Sequence, residues 1–350
     1  MNKNIKNYIN NLKNARLDSF LITNDCNIRY LTGFESSESW LLVSRRKVFY
    51  ITDGRYVSEA KKHLNGIEVR CFKKTMIDSV YEILKAQKSR RVGFDSRHLS
   101  HFLYNKLEEK RPKQISFIEC NGLIEEMRQI KTSEEILKIK KALQIHQKTH
   151  QYLKKIIQPG VSEREIALQL EQFIKKEGAV FSFPPIVASG PNSSYPHAQI
   201  TSRKLQKNDV ILVDIGIDVE GYKSDLTRMF FLGRIPPLVK DIYRIVQEVQ
   251  RIAIGEIRDG VKANQVDYLA RKYLKKHKLD KLFIHSLGHG VGLEVHEAPR
   301  LSAKSAAILK EGMVLTVEPG VYLPEQFGIR IEDMVLVRKD AVEELSDNIN

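Results

Sequence analysis

The stretch VILVDIGIDVEGYKSDLTRMFF, residues 210–231, decides the fold of the C-terminal part of this chain. Its two apolar halves are rich in strand-forming side chains, and the DVEG sequence between them is typical of a turn. The stretch therefore predicts a β-hairpin. If the turn is centred between Val219 and Glu220, Asp214 faces Asp225 directly, with Cβ atoms about 4.5–5.5 Å apart.

A second hairpin with the same property is predicted further along the chain. Residues 313–322 and 328–337 are strand-like, and the LPEQF sequence joins them. Centring the connection on Glu325 places Glu318 opposite Glu332. Like charges directly opposite each other destabilise a sheet. Two such pairs within apolar strands require a cation or a raised carboxyl pKa.

Histidines accompany these acids in the glycine-rich segment SLGHGVGLEVHE, residues 286–297, which contains His289 and His296. Four carboxylates and one imidazole suit two divalent cations that share bridging oxygens. Two such ions, about 3.5–4 Å apart, would activate a water and stabilise a developing oxyanion. The glycines lack the GxGxxG spacing and the strand–turn–helix context of a dinucleotide loop, which argues against that alternative.

Other polar residues nearby are interpreted as structural. His285 has no spacing argument that would make it a ligand. Asp218 and Glu220 belong to the predicted turn. Asp333 is expected to be a supporting or surface acid. The two facing pairs are what distinguish this region from strands that carry a single buried acid in a salt bridge.

The first 125 or so residues predict an α/β unit, because short apolar strands alternate with helical stretches. A mixed or partly parallel sheet is expected. The predicted strands are 20–23, 40–43, 47–52 and 92–94, and the predicted helices are 57–63 and 77–85.

Capping boxes mark the helices that follow a break near residues 128–133. Thr132 precedes Glu135 by three residues, and Ser162 precedes Glu165 by three residues, so each pair predicts a helix start. The phrase IQPGV at 157–161 also returns as IRDGV at 257–261. Only Ile, Gly and Val are shared, so the repeat suggests an internal duplication without establishing it. A duplicated α+β half predicts a pseudo-twofold fold with a site between its halves.

Composition places the chain among ordinary globular proteins. Of 350 residues, 42% are hydrophobic and 29% are charged, which excludes a disordered chain. No apolar stretch approaches the ~18–20 residues of a membrane span, and no secretory signal is recognised. The three cysteines, Cys26, Cys71 and Cys120, form no CxxC pair, so a reducing cytoplasm is expected.

The net charge of +14 raises the question of nucleic-acid binding. No RNA-recognition, zinc-finger or helix-turn-helix pattern accompanies the charge. A dispersed basic surface is therefore the preferred interpretation, with weak, salt-sensitive binding to polyanions and no specific nucleic-acid partner.

Around these residues the sequence resembles the pita-bread metallopeptidases, a family that includes methionine aminopeptidase, aminopeptidase P and prolidase (Xaa-Pro dipeptidase). The N-terminal segments NIRYLTGF (27–34) and TDGRY (52–56) resemble the N-terminal domain of creatinase, prolidase and aminopeptidase P. Methionine aminopeptidases lack that domain, and creatinase lacks the metal ligands. The C-terminal segments that carry the resemblance are VDIG (213–216), SDLTR (224–228), GHGVG (288–292), HEAP (296–299), TVEPG (316–320) and GIRIED (328–333).

The resemblance implies a creatinase-like α/β N-terminal domain at 1–127 and an α+β pseudo-twofold pita-bread catalytic domain, of the creatinase/aminopeptidase type, at 128–350. It implies a dinuclear site for divalent metal ions, with Mn²⁺ expected and Co²⁺ or Zn²⁺ as alternatives. The implied metal ligands are Asp214, Asp225, His289, Glu318 and Glu332.

The implied reaction is hydrolysis of the bond before proline in Xaa-Pro substrates. Glu318 would move a proton towards the imide nitrogen, His296 would stabilise the tetrahedral intermediate, and His197 would orient the substrate. Arg300 matches a position that reads the carboxylate of a dipeptide in prolidases, with a surface salt bridge as the competing role. Arg330 alternates with Glu332 on one strand face and is a candidate for substrate binding or for holding a carboxylate.

Several alternatives stay open at this point. Arg300 favours a dipeptidase, whereas an aminopeptidase P would need an open exit for a longer peptide. A relative that has lost catalysis and binds protein or nucleic acid is a third possibility, although every ligand position is retained. Homodimers are expected, with the polar loop ESSESW at 35–40 capping the site of a neighbouring subunit.

Overall fold

The structure, a computed structural model, describes residues 3–35 and 37–349. The chain divides into two compact units, Met1–Arg128 and Gln129–Asn350. The sequence places the domain boundary one residue earlier, between residues 127 and 128.

The N-terminal unit is an α/β sandwich whose sheet is built from the short apolar strands of the sequence pattern. Its helices are α1 (Lys3–Asn14), α2 (Asp25–Thr32), α3 (Val57–His63), α4 (Met76–Ala86), α5 (His101–Glu109) and α6 (Leu123–Gln129). Its strands are β1 (Ser19–Ile22), β2 (Trp40–Ser44), β3 (Val48–Thr52), β4 (Glu68–Cys71), β5 (Arg91–Phe94) and β6 (Ser116–Glu119).

These strands form one mixed sheet in the order β4-β3-β2-β1-β5-β6. The β1–β2 and β2–β3 pairs are antiparallel, and the other three are parallel. The prediction of a mixed sheet is therefore confirmed. Central strands β2 and β3 are buried along their whole length, as expected for strands covered on both faces.

The loop at 35–40 differs from its predicted role in one respect. Trp40 is the first residue of β2, pairs with Ile51 and is only 8% exposed. Its large apolar ring is held in the core of its own unit, so the sole tryptophan is not part of an exposed capping loop. Ser36 lies outside the described residues. Capping of a neighbouring subunit stays a prediction for the polar residues that precede Trp40.

The C-terminal unit contains two pairs of long helices and several small sheets. Its helices are α7 (Ser133–Ile156), α8 (Glu163–Lys176), α9 (Pro237–Glu256) and α10 (Ala263–Lys276), with 3₁₀ turns at Gly190–Ser194 and Asp280–Leu282. Its strands are β7 (Val180–Phe181), β8 (Ile186–Ser189), β9 (Val210–Val219), β10 (Tyr222–Phe231), β11 (Gly288–Gly290), β12 (Glu297–Leu301), β13 (Val314–Val317), β14 (Gly320–Leu323), β15 (Phe327–Arg330), β16 (Asp333–Val337) and β17 (Val342–Glu344).

Three sheets result from these strands. One contains β10-β9-β7 with β8 also paired to β9, a second has the order β12-β11-β13-β16-β17, and the third is the β14–β15 ribbon. Among the described residues, no helix combines the length and apolar character that crossing a bilayer requires.

Both predicted capping boxes are confirmed. Thr132 and Glu135 exchange side-chain-to-backbone hydrogen bonds at the start of α7, and Ser162 and Glu165 do the same at the start of α8. Each box satisfies two backbone N–H groups that have no partner within the helix. The amphipathic pattern of α8 then buries Ile166, Leu170 and Ile174 completely.

The repeated phrase at 157–161 and 257–261 has the same backbone setting in both places. In each copy the Gly and Val pair with a leucine about 45 residues downstream, directly before a helix, α8 or α10. The hydrogen bonds are Gly160 N to Leu205 O (2.8 Å), Leu205 N to Val161 O (2.8 Å), Gly260 N to Leu309 O (2.9 Å) and Leu309 N to Val261 O (2.8 Å). The sequence repeat therefore corresponds to a repeated local structure that leads into α8 and α10.

Candidate metal centre

The first pair of acids lies on the β9–β10 hairpin, but not in the predicted register. Thr227 is opposite Asp214, and Asp225 is opposite Gly216, so the prediction that Asp214 faces Asp225 is wrong. The reason is the turn. Its two central residues are Glu220 and Gly221, with φ of 53° and 85°, and not Val219 and Glu220. Positive φ at both positions is the requirement of a two-residue type I′ turn, which the Glu-Gly dipeptide satisfies.

The register correction leaves both carboxylates on one face of the hairpin. A change of two residues preserves the side-chain face, because side chains alternate with a period of two. Asp214 and Asp225 are therefore diagonal neighbours rather than direct partners. Asp218, predicted as a turn residue, accepts a hydrogen bond from Gly221 N at 2.8 Å.

The second pair of acids has the predicted register. Val317 pairs with Asp333 and Gly320 pairs with Arg330, so Glu318 lies opposite Glu332. Each of the two predicted long strands is, however, interrupted at its acid. Glu318 separates β13 from β14, and Glu332 separates β15 from β16. Strands β13 and β16 belong to the five-stranded sheet, whereas β14 and β15 form the separate ribbon. The backbone N–H of Glu332 donates to Thr227 O at 3.2 Å, which ties this second pair to the first hairpin.

His289 joins the acids from strand β11. Its Nε2 lies 3.4 Å from Glu318 Oε1 and 3.6 Å from Asp225 Oδ2. Its Nδ1 donates to the carbonyl oxygen of Gly290 at 3.1 Å. Since this bond requires the proton on Nδ1, Nε2 presents a lone pair to the acidic cluster, as a metal-binding imidazole must.

The glycines beside His289 allow close packing of strands and have no role as a nucleotide loop. A Cβ at Gly288 would lie 2.0 Å from Thr316 O, and one at Gly290 would lie 2.3 Å from Ala298 O. Only glycine fits between β12 and β13 at these positions. The structure thus explains the glycine-rich pattern that superficially resembles a dinucleotide-binding motif.

The donor set fits divalent cations. Ligand atoms of Asp225, His289 and Glu332 all lie within 4.8 Å of one another. Asp214 Oδ1 is buried and has no hydrogen-bond partner among the described residues. An unsatisfied carboxylate oxygen beside three further acids is costly without a cation. Oxygen-rich sites with one imidazole suit several first-row divalent ions.

The electrostatics of the protein alone lead to the same conclusion. Burial, followed by the neighbouring acids, raises the pKa of the Asp225 and Glu332 carboxyls well above their usual values. Burial also raises the pKa of Asp214, and raises that of Glu318 to about 7. Burial lowers the pKa of His289 to about 4, so its imidazole is neutral near pH 7. A bound cation would favour the charged carboxylates that burial disfavours.

Arg330 supports this cluster from within the protein. It is 4% exposed and donates from Nε to Thr227 Oγ1 at 3.0 Å and from Nη2 to Asp214 Oδ2 at 2.5 Å. Thr227 Oγ1 in turn donates to Glu332 Oε2 at 2.7 Å. The guanidinium also donates from Nη1 to Tyr322 OH and to Pro196 O. Its position is therefore set by contacts with protein groups.

The other predicted site residues line the same cavity of about 800 Å³ as the acids. His296 lies directly before β12, with its ring centroid 4.4 Å from that of His289 in an edge-to-face arrangement. Burial lowers the pKa of His296. Arg300 pairs with His289 across β11 and β12, so both side chains point to one face. His197 is exposed to the cavity from the segment after the 3₁₀ turn. The structure thus brings all nine predicted residues together.

Sequence reasoning missed several residues that support the cluster. Tyr322 OH lies 3.0 Å from His285 Nε2, and His285 Nδ1 is 2.8 Å from Ser286 O. Both ring nitrogens of His285 thus have protein partners, consistent with its structural interpretation, although its ring also lines the cavity. Thr227 and Thr316 were missed too. The alternation of side chains along a strand could have indicated both threonines. Each lies two residues from a predicted ligand, so its side chain is on the same face of the strand.

A second group of possible ligands lies in the N-terminal unit, where Asp95, His98 and Glu125 lie close together. Arg97 contacts both carboxylates, at 2.5 Å from Asp95 and 3.1 Å from Glu125. His98 Nε2 is 2.7 Å from Glu125 Oε1. Arg97 thus pairs with both acids of this group, whereas in the C-terminal unit Arg330 forms an ion pair with only Asp214 among four acids.

Comparison with known proteins agrees with this architecture. Residues 5–130 match the creatinase/prolidase N-terminal domain, and residues 137–339 match metallopeptidase family M24. The structure of an Xaa-Pro dipeptidase from Bacillus anthracis is 36% identical, with a TM-score of 0.95 over 99% of this chain and 97% of that chain. An X-Pro aminopeptidase from Thermotoga maritima MSB8 is 35% identical, with a TM-score of 0.88 over 95% and 96%.

The similarity also holds for relatives compared by sequence. An Xaa-Pro dipeptidase from Pyrococcus horikoshii is 34% identical over 99% of this chain and 97% of its own length. The predicted fold class, an α/β N-terminal domain with a pita-bread catalytic domain, is confirmed by these matches. The matches to both halves of the chain, together with the carboxylate–histidine cluster, identify it as a member of metallopeptidase family M24 with a creatinase/prolidase N-terminal domain.

Proposed function

We propose that this chain is a metal-dependent exopeptidase that hydrolyses the bond before proline in Xaa-Pro substrates, dipeptides included. One observation carries the proposal: four carboxylates and a neutral imidazole converge in a cavity that is also lined by His197, His296 and Arg300. Relatives of almost full length are named Xaa-Pro dipeptidase and X-Pro aminopeptidase. The domains we assign are 1–127 and 128–350.

We assign the metal ligands to Asp214, Asp225, His289, Glu318 and Glu332, holding two divalent ions. Manganese is the ion we expect in the cell, with cobalt and zinc as alternatives that the same donors accept. When bound, such ions lower the pKa of water and polarise a substrate carbonyl.

Glu318 is proposed as the group that moves the proton. Its carboxylate faces the cavity, and Thr316 Oγ1 donates to its Oε1 at 3.5 Å. The leaving group of an Xaa-Pro bond is the imide nitrogen of proline, which has no hydrogen of its own. As in any amide hydrolysis, a proton must be delivered to that nitrogen as the bond breaks, because an unprotonated amide anion is a poor leaving group. A carboxylate that accepts a proton from the attacking water and releases it to the nitrogen serves both steps.

The histidines are proposed to act on the substrate. His296 would stabilise the charge that develops on the carbonyl oxygen, and His197 would orient the substrate from the opposite segment of the cavity. Arg300 would pair with the free carboxylate of a dipeptide, for which a guanidinium offers two parallel donors. For Arg330, we favour the role of holding Asp214 over direct substrate binding, because four of its donors are directed to protein atoms.

The cellular setting is also a proposal. No disulfide joins the cysteines Cys26, Cys71 and Cys120, as expected in the reducing cytoplasm. We propose a homodimer as the working form, on the resemblance to prolidases and the polar loop that precedes Trp40. Full activity of a monomer at high dilution would contradict capping by a neighbouring subunit.

The test is hydrolysis of Ala-Pro by purified protein, first after chelation and then with Mn²⁺, Co²⁺ or Zn²⁺ added. We expect no turnover in the chelated protein and recovery with at least one of the ions. Ala-Ala serves as the matched substrate without the ring and should be cleaved far more slowly. A folded protein that hydrolyses no Xaa-Pro substrate with any of these metals would contradict the proposal and favour a binding role.

A further inference from the structure

A buried ion pair lies behind the segment that carries His296. Lys131 Nζ is 3.0 Å from Glu297 Oε2, and the two side chains are only 1% and 5% exposed. Both residues belong to the C-terminal unit. Neither lines the cavity, although His296, the residue before Glu297, does. The pair can therefore influence a reaction in the cavity only through the backbone around it.

The backbone of Lys131 is held against the segment that leads to a proposed metal ligand. Lys131 N donates to Gly312 O at 2.9 Å, and Ile130 forms an antiparallel β-bridge with Met313. Met313 directly precedes β13, and β13 ends directly before Glu318. The ammonium of Lys131 thus extends from a backbone whose position is set by β13.

Glu297 closes the connection between β11 and β12, residues 291–296. While its Oε2 contacts Lys131, its Oε1 accepts a hydrogen bond from Glu294 N at 3.2 Å. A Cβ at Gly292 would lie 2.7 Å from both carboxylate oxygens, so this carboxylate packs directly on the backbone of the connection. One carboxylate therefore joins the connection to Lys131.

The position of the His296 ring depends on this connection. In the part of the chain that the structure describes, no group forms a hydrogen bond with its ring nitrogens, and the ring packs edge-to-face on His289. By contrast, both ring nitrogens of His285 have protein partners. Since the His296 ring has no hydrogen bond of its own, its position follows from the backbone that Glu297 holds.

The cost of burying two charges favours positioning over stabilisation as the role of this pair. Removing an ammonium and a carboxylate from water costs free energy that their mutual attraction often does not recover. Replacing both charges by uncharged groups of similar volume is therefore often neutral for stability, whereas removing only one is strongly destabilising. What the pair supplies is a defined geometry, because each buried charge requires its partner.

We infer that Lys131 and Glu297 are positioning residues: their buried ion pair fixes the 291–296 connection so that the His296 ring is held at the carbonyl of the scissile bond. The inference rests on the proposed Xaa-Pro hydrolysis. It adds to the site two residues that lie outside both the proposed ligand set and the cavity lining.

The experiment removes the two charges separately and together, with Ala-Pro as substrate and manganese-loaded enzyme. Lys131→Met and Glu297→Gln each leave one buried charge without its partner, so each should lower the melting temperature. The double variant Lys131→Met/Glu297→Gln should melt within about 4 °C of wild type. Its kcat should nevertheless be about tenfold lower, with KM and the affinity for Mn²⁺ unchanged. Loss of kcat at unchanged stability distinguishes positioning from general support of the fold.

Hydrogen exchange in the metal-free protein gives a second measurement that needs no turnover. Amides of residues 291–297 should exchange about tenfold faster in the double variant than in wild type, while those of α8 stay unchanged. The matched control is Lys140→Met/Glu343→Gln, the same two substitutions at a partly exposed ion pair of 2.7 Å. It should change neither the kinetics nor the exchange of residues 291–297.

Wild-type kcat in the double variant, or unchanged exchange at residues 291–297, would overturn the inference and leave the proposed function intact. Loss of Mn²⁺ affinity together with kcat would also overturn it, because the pair would then support the metal centre and not His296. So would a double variant that unfolds, since the pair would then be required by the fold as a whole. Wild-type enzyme that hydrolyses no Ala-Pro would reject the proposed function and the inference with it.

Discussion

Arg330 donates from Nη2 to Asp214 Oδ2 at 2.5 Å, and both side chains are buried. The same guanidinium reaches Glu332 through the hydroxyl of Thr227. Burial raises the pKa of Asp214, and the charge of Arg330 opposes that rise. One arginine thus orients an acid from each hairpin.

Replacing Arg330 by lysine should therefore weaken the metal centre without removing the positive charge. Lysine has no planar fork and cannot hold Asp214 and Thr227 at once. We expect metal affinity and kcat to fall about 10–100-fold, the usual effect of losing a group that orients a ligand. Metal titration and Ala-Pro kinetics measure this. Arg338→Lys, which alters an exposed ion pair with Glu343, is the control and should behave as wild type.

Asp225→Asn and Glu332→Gln should each abolish activity, by about 1,000-fold or more, while the protein stays folded. Burial raises the pKa of both carboxyls, so keeping either one protonated or charged in the metal-free fold costs free energy that an amide does not. The chelated variants should therefore melt at a higher temperature than chelated wild type. Metal content and thermal melting with and without chelator test both effects.

The control for these variants is Asp340→Asn, which removes an exposed acid of the C-terminal unit. It should change neither metal content nor melting temperature. Wild-type turnover by Asp225→Asn at saturating metal would show that the ligand assignment is mistaken.

Glu163 should control the position of His197. This fully buried carboxylate accepts hydrogen bonds from Ser189 N at 2.7 Å and from Thr201 N at 3.0 Å, one at each end of the segment that carries His197. It also accepts from three side-chain donors of that segment. Glu163→Gln replaces one acceptor oxygen by a donor. We expect kcat/KM for Ala-Pro to fall about 10–100-fold because the segment moves, with metal content unchanged.

The comparison variant is Glu177→Gln, which loses a surface ion pair with Lys148 and should retain full activity. If Glu163→Gln lost its metal as well as its activity, a general structural defect would explain the result better than displacement of His197.

Metal binding should strengthen as pH rises towards 7. In the metal-free protein the pKa of Glu318 is raised to about 7, so below that pH a cation must displace its proton. His289, with a pKa of about 4, is already neutral and releases none. We expect the apparent affinity for Mn²⁺ to rise about tenfold per pH unit for each proton displaced. Calorimetry in buffers of different ionisation enthalpy counts these protons.

The raised pKa of Glu318 also predicts how the stability of the metal-free, chelated protein depends on pH. The folded pKa of Glu318 lies above its ordinary value of 4.5, so the folded state keeps a proton that the unfolded chain releases between pH 4.5 and about 7. Stability from this group is lost as pH rises through that interval. Chelated wild type should therefore lose free energy of unfolding relative to Glu318→Gln over this range. A constant difference between the two proteins would contradict the shifted pKa.

Much of the fold was predictable because it depends on local patterns. The capping boxes at Thr132 and Ser162 specify helix starts through hydrogen bonds within four residues. The β10 strand was predicted with its observed bounds, since apolar side chains and a flanking turn delimit it. The turn itself was misplaced by one residue, because only the φ values of Glu220 and Gly221 decide which pair occupies its centre.

The sequence by itself determined that Asp214 and Asp225 share one strand face. Alternation with a period of two places acids on one strand face regardless of a register error of two residues, and this is why Asp214 and Asp225 remained on the same side. Only the tertiary structure decided which groups touch. It directed Arg330 to Asp214 and joined Thr227 to Glu332. Such contacts depend on packing between segments more than 100 residues apart, which no local pattern encodes.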